Sequence, residues 1–336
     1  KNVLMKDKAL VLGAGGFIGN HLCNYLISKD FEVVGADLKY PEFGETKCIK
    51  FHKGDLRDKA FAEKVILDSD FQFKFIFQLA ADMGGAGFIF TGDNDADIMS
   101  NSLSINLNVL NTVLKLKEVN QNPKIFYSSS ACIYPEELQL DVNDVSLKEE
   151  SAYPANPDSE YGWEKLMSER LYLAYQKDYE LDIRIARFHN IYGPYGTWDG
   201  GREKAPAAMC RKVAEVENGG TIEIWGDGNQ TRSFLFIDDC LEAVYRLMES
   251  SYKEPINIGS EEMVSINKLV EIVCEVANKD IRINHIDGPL GVRGRNSNND
   301  KVRKELNWDY QFSLKEGIKI TYEWINQQVL SLEINE

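Results

Sequence analysis

The sequence has no long apolar run. No stretch approaches the roughly 18 to 20 uninterrupted apolar residues that a membrane-spanning helix requires, so no span is predicted. Residues Lys1 to Lys8 are charged and run straight into a strand pattern, without the architecture of a signal peptide. Cysteines are few and scattered: Cys23, Cys48, Cys132, Cys210, Cys240 and Cys274 form no C-x-x-C pair. This pattern points to reduced thiols in a cytoplasmic compartment, and no metal site is predicted. Positive charge is also short, with 38 Lys and Arg against 53 Asp and Glu, a formal net charge of −15. An acidic surface repels phosphate backbones and anionic lipid, which argues against nucleic acid and membrane as partners. A small anionic ligand needs only a local gathering of cations.

What is present is an ordinary globular composition, 43% apolar and 27% charged. The 336 residues suffice for one large and one smaller domain. Short apolar strands are predicted at Ala9–Leu12, Glu32–Ala36, Phe73–Phe77, Lys124–Tyr127 and Ile183–Ala186. Helical patterns lie between them: one after the first strand to about Ser28, then Ser102–Val119 and Tyr161–Tyr179. Strand-helix alternation with continuous apolar strands predicts an α/β fold, a parallel sheet covered on both faces. From about Gly193 the glycines and prolines cluster and the alternation becomes irregular, which predicts a smaller C-terminal α/β lobe over the carboxyl ends of the strands.

Gly13-Ala-Gly-Gly16-Phe17-Ile18-Gly19 follows the first strand and opens the first helix. Glycine permits the tight turn and lets a pyrophosphate approach the backbone at a helix N-terminus. Any tight strand-to-helix turn favours glycine, so the cluster alone says little. Asp37, at the end of the second strand about 20 residues on, is placed to accept ribose hydroxyls and to repel a 2′-phosphate. The pair predicts NAD rather than NADP. Asp55 and Leu56, after a third short strand, fit an adenine-edge contact. The predicted organisation is thus a Rossmann-type doubly wound sheet over residues 1–190, with a return at 234–260. The substrate lobe would comprise 191–233 and 261–336.

Tyr161-Gly-Trp-Glu-Lys165 places a phenol and an ammonium on one face of a helix. The ammonium is expected to lower the phenol from its reference of about 10 and make it a base near neutrality. Ser130, at a strand end, would hydrogen-bond the same substrate oxygen. Together with the glycine cluster and Asp37, these residues resemble the extended short-chain dehydrogenase/reductase family over essentially the whole chain. That resemblance implies a nucleotide-sugar enzyme in which Tyr161 takes a sugar hydroxyl proton as hydride moves to NAD. Dehydratases of the family carry Asp-Glu after the triad Ser or Thr; Ala131-Cys132 stands here, which argues against dehydration.

The strings Ser129-Ser-Ala-Cys-Ile-Tyr-Pro135, Ala80-Ala-Asp-Met-Gly-Gly85, Gly200-Gly-Arg-Glu-Lys-Ala-Pro-Ala207, Trp225-Gly-Asp-Gly-Asn-Gln-Thr-Arg-Ser233 and Gly291-Val-Arg-Gly-Arg-Asn-Ser297 are similar to the GDP-mannose 3,5-epimerase branch. The similarity implies epimerisation of GDP-mannose at C-3 and C-5 through a 4-keto intermediate. Cys132, a thiol with reference pKa about 8.5, and Lys204 would be the acid/base pair. It further implies that Gly84, Ser130, Ala131, Asn190, Glu203, Ala205, Lys212, Gln230, Thr231, Arg232 and Arg295 contact substrate. The cations Lys212, Arg232 and Arg295 would neutralise the diphosphate. His189 is not expected to be catalytic. A homodimer through Ser102–Val119 and Tyr161–Tyr179 is implied. The alternatives are an epimerase of a related GDP-hexose or heptose, a GDP-fucose synthase-like epimerase/reductase, and a catalytically dead cofactor-binding regulator. The segments Phe90–Asp97 and Val213–Gly220 depart from the branch pattern and are expected beside the sugar lobe, which leaves the exact sugar open.

Overall fold

The computed structural model describes residues 5–143 and 145–335. Its centre is a seven-stranded sheet in which every pairing is parallel. The first strands are β1 (Lys8–Leu12), β2 (Glu32–Asp37), β3 (Lys50–Lys53), β4 (Phe75–Gln78), β5 (Lys124–Ser130) and β6 (Ile183–Phe188). The helices among them are α1 (Phe17–Ser28), α2 (Lys59–Ile66), α3 (Ala86–Ile89), α4 (Asp95–Glu118) and α5 (Glu160–Tyr179). β1 alternates Ala9 and Val11 into one apolar layer with Leu10 and Leu12 into the other, all fully buried. Burial on both faces is why these strands read as unbroken apolar runs.

Two predicted elements move. Phe73 lies outside β4, buried and stacked on Phe71 with ring centroids 5.9 Å apart, so it packs under the strand instead of pairing. α4 begins before Ser102, at Asp95, where Asp95 and Asp97 in the first turn complement the helix dipole.

The remaining elements are β7 (Ile191–Tyr192), α6 (Ala205–Glu215), β8 (Thr221–Trp225), β9 (Thr231–Ser233), β10 (Leu235–Phe236), α7 (Ile237–Glu249) and β11 (Ile256–Ile258). There follow β12 (Met263–Ser265), α8 (Ile266–Ala277), β13 (Arg282–Ile286), β14 (Gly294–Arg295), α9 (Asp300–Leu306) and α10 (Leu314–Asn335). The large sheet runs β11-β6-β5-β4-β1-β2-β3. Strand order therefore reverses between β1 and β4, and ligands of such sheets bind at the carboxyl ends beside that reversal. β9, between β12 and β14, and the parallel pair β8–β13 form small sheets of their own, while α6, α8 and α10 pack together. Among the described residues no helix is long and apolar enough to cross a membrane.

Candidate active site

A cavity of about 960 Å³ opens at the carboxyl ends of the strands and runs from the glycine loop to the C-terminal elements. Gly13 adopts φ +90°, and a β-carbon there would lie 2.9 Å from the Ala80 nitrogen. A β-carbon on Gly19 would stand 1.9 Å from the Gly13 oxygen, so helix α1 sits directly on the loop. Among the described residues no side chain caps α1 at Gly16. Its first-turn N–H groups are left for an anion. Asp37 accepts the Gly15 N–H through Oδ2 at 2.9 Å and the Lys39 N–H through Oδ1 at 3.3 Å. This cradle fits a dinucleotide: Gly13, Gly16, Phe17, Ile18 and Gly19 would take the pyrophosphate and Asp37 the ribose.

Asp55 and Leu56 also line the cavity. The Asp55 carboxylate is taken up by Arg57, whose Nε and Nη2 donate to it at 2.9 and 2.6 Å, and this fork holds the carboxyl below its ordinary range. Arg57 Nη1 goes on to Asn101 at 2.8 Å, and this group was not foreseen.

β5 ends at Ser130, whose Oγ accepts the Cys132 N–H at 3.1 Å and turns the chain so that Cys132 lines the cavity. Helix α5 packs on that turn. A β-carbon on Gly162 would lie 2.2 Å from the Cys132 oxygen, so glycine is required between Tyr161 and Trp163. One helical turn separates Tyr161 from Lys165, and both line the cavity.

Burial dominates the electrostatics of this end of the cavity. Burial pushes the Tyr161 phenol up, with the charges of Cys132 and Glu164 adding to it, while the Ser130 hydroxyl draws it down by hydrogen bonding. Lys165 Nζ donates to the Ser128 oxygen at 2.9 Å, lies 5.8 Å from the Tyr161 ring centroid, and is itself pushed down by burial. Lys204 precedes α6, which carries Pro206 in its first turn. Burial pushes its ammonium down, and the Cys132 charge counters this across the cavity.

Arg295 reaches the reaction end of the cavity: Nη1 lies 3.2 Å from Cys132 Sγ and Nε donates to Gln139 Oε1 at 2.6 Å. Arg232 donates to the carbonyls of Thr231, Leu290 and Val292, and burial beside Arg295 lowers its guanidinium to about 9. Lys212 Nζ donates to the Glu223 carbonyl at 2.6 Å. Gly84, Ala131, Asn190, Glu203, Ala205, Lys212, Gln230 and Arg232 line the same cavity. Within it Glu203 is occupied by Gly201 N–H at 2.7 Å and by Arg211 at 3.3 Å.

Thr231 is the exception. Its hydroxyl donates to the Val142 carbonyl at 2.7 Å, and the residue is outside the cavity lining. Thr231 opens β9, and successive side chains along a strand face opposite sides, so Arg232 reaches the cavity and Thr231 does not. His189 is fully buried against Asn257 and held neutral, its ring lowered to about 3 by burial. Of the two departing segments, Phe90 lines the cavity. Val213–Gly220 does not: Lys279 Nζ holds the carbonyls of Val213, Ala214 and Val216 at the rear of α6. Sequence reasoning missed Gln139, which holds Arg295, and Trp225, which lines the cavity; only Trp225 sits in a string it singled out.

Residues 9–259 match the NAD dependent epimerase/dehydratase family. The chain is 48% identical to GDP-mannose 3,5-epimerase of Arabidopsis thaliana, over 96% of this chain and 83% of that protein. It is 29% identical to a GDP-L-fucose synthase of Sinorhizobium fredii, over 93% of each chain. A solved UDP-glucuronic acid 4-epimerase of Bacillus cereus, in complex with UDP-glucuronic acid and NAD, superposes with a TM-score of 0.80 at 25% identity, covering 96% of this chain and 99% of that one. The chain belongs to the NAD dependent epimerase/dehydratase family, and within it to the branch of the GDP-mannose 3,5-epimerases.

Proposed function

We propose that this enzyme epimerises GDP-mannose at C-3 and C-5, giving GDP-L-galactose, GDP-L-gulose or both. The observation that carries this reading is the convergence of Tyr161, Cys132 and Lys204 on one cavity, with Cys132 and Lys204 in mutual electrostatic reach. NAD, when bound, supplies the hydride exchange at C-4. Tyr161, as a phenolate beside the Lys165 ammonium, takes the C-4 hydroxyl proton while Ser130 holds the oxygen. Oxidation at C-4 acidifies the neighbouring C–H bonds; Cys132 removes a proton from one face, and Lys204 returns one to the other. Burial favours this use of Lys204, because a destabilised ammonium is a stronger acid.

The proposed division assigns 1–190 and 234–260 to the cofactor domain and 191–233 and 261–336 to the substrate lobe. Pairing of β11 with β6 supports the return. A homodimer through α4 and α5 is supported by the exposure of Trp163 and Met167 on α5. Six free cysteines are compatible with a cytoplasmic setting.

The test is incubation with GDP-mannose in deuterium oxide without added nucleotide, followed by NMR of the sugar protons. Deuterium at C-3 and C-5 with appearance of the epimers is expected. Absence of exchange would remove GDP-mannose as substrate and turn attention to other GDP-sugars, including a 4-keto-6-deoxy sugar with NADPH.

A further inference from the structure

Behind Cys132 lies a buried pair of opposite charges that the acid/base scheme does not use. Asp158 and Arg295 have side chains only 4% and 5% exposed, with Arg295 Nη2 3.9 Å from Asp158 Oδ2. Both Asp158 oxygens and Arg295 Nη2 have no hydrogen-bond partner among the described residues. An ion pair kept only for stability is expected to close to hydrogen-bond distance, since burial of both charges is costly otherwise.

The guanidinium is aimed elsewhere. Gln139 Oε1 accepts its Nε at 2.6 Å, and the Gln139 amide donates to the carbonyls of Tyr134 and Pro135, both at 3.1 Å. Arg295 is thereby fixed to the same turn that carries Cys132, and Nη1 faces Sγ at 3.2 Å. Asp158 immediately precedes Ser159, the cap of α5, so it is tied to the helix bearing Tyr161. Located beyond the guanidinium and outside the cavity lining, it attracts Nη2 without drawing Nη1 off the sulfur.

We propose that Asp158 and Arg295 are a positioning pair that holds a guanidinium on the Cys132 sulfur and aligns it for proton abstraction. The proposal rests on Cys132 acting as the base. A guanidinium against sulfur favours the charged form. The other charged groups facing Cys132 are Lys165 and Tyr161 from α5, Lys204 before α6, and Arg232 from β9.

The experiment is alkylation of the NAD-containing enzyme by iodoacetamide across pH, read on the Cys132 peptide by mass spectrometry. Arg295→Met should raise the midpoint by about one pH unit and slow labelling about tenfold at neutral pH. If that variant does not fold, Arg295→Lys, which keeps the charge but not the planar fork, should shift it the same way by less. Asp158→Asn is decisive in sign. Loss of a nearby negative charge alone would lower the midpoint, whereas loss of the restraint on Arg295 raises it. A raised midpoint, with kcat reduced more than KM and partial recovery in Asp158→Glu, is the expected result. A lowered or unchanged midpoint in Asp158→Asn overturns the proposal. Labelling is read without GDP-mannose, so a raised midpoint in an enzyme inert toward GDP-mannose would leave the pair standing and remove only the substrate.

Discussion

The Asp37 carboxylate accepts the backbone N–H of Gly15 at 2.9 Å, tying the end of β2 to the loop that precedes α1. The residue read from the sequence as a ribose acceptor is thus also the brace of the glycine loop. Space around the loop is divided unequally. A β-carbon on Gly15 or Gly19 would lie 2.0 or 1.9 Å from a backbone oxygen, whereas on Gly16 the nearest atom is 3.4 Å away.

That difference separates a folding role from a ligand role. Gly19→Ala should destabilise the enzyme by about 3 kcal/mol or more, because backbone must move to admit the methyl group. Gly16→Ala meets no such obstacle and should leave the apoprotein Tm nearly unchanged while lowering the NAD retained on purification. Parallel measurement of Tm and of NAD released by acid checks both. Equal loss of stability in the two variants would show that Gly16 also serves packing.

Lys204 provides a pH prediction. Its ammonium is pushed below the ordinary lysine value of about 10.4 by burial. An acid must be protonated to act, so kcat/KM should fall as pH rises through a value below that reference. Lys204→Arg removes this titration but leaves a charge too weakly acidic to donate, and should cost about 10²-fold or more in kcat. A variant retaining near-normal kcat would take the acid role from Lys204.

The sheet and the loop were legible because each rests on a local signal: unbroken apolar strands, glycines at a strand-helix turn, and an acidic strand end. The lining of the cavity was legible through motif resemblance, which says which residues gather but not which atoms face the ligand. Thr231 shows the limit. Within Gln-Thr-Arg it shares the string, yet strand alternation turns its hydroxyl to Val142. Asp55 lines the cavity as its string suggests, but the fork from Arg57 two residues on is not legible in that string. Helical spacing places Lys165 one turn from Tyr161, but it does not reveal that the Ser128 carbonyl holds the ammonium. Asp158 meets Arg295 only through folding, and nothing in Pro157-Asp158-Ser159 distinguishes it from an ordinary helix lead-in.

Glu169 of α5 supports the site from below the sheet. It accepts Ser129 Oγ at 2.8 Å and Arg187 Nε at 3.2 Å, with both ionic side chains almost wholly buried. Glu169→Gln would leave the Arg187 charge buried and uncompensated, at a cost of about 3–5 kcal/mol. A lowered urea midpoint should be accompanied by reduced kcat, because Ser129 immediately precedes Ser130. Unchanged stability would mean that Arg187 is held sufficiently by Tyr134 and the Glu149 carbonyl, its other acceptors.

His189 should govern part of the acid sensitivity. The Asn257 amide donates to the Leu147 carbonyl at 2.8 Å, so its oxygen faces His189 Nε2, which must carry the proton. Nδ1 is buried without a partner among the described residues. The ring is neutral when folded, with its pKa lowered to about 3, against about 6.5 when unfolded. Below pH 6.5 the unfolded chain therefore takes up a proton that the folded one refuses, and stability falls as pH descends toward 3. From pH 7.5 to 5 this single group should remove about 2 kcal/mol. His189→Gln keeps a donor for Asn257 but has no such titration. Whatever the variant costs at pH 7.5, its stability relative to the parent should improve by about 2 kcal/mol by pH 5 in urea unfolding. A difference that stays constant over that interval would show that His189 is protonated equally in both states, and the acid sensitivity would then fall to other groups.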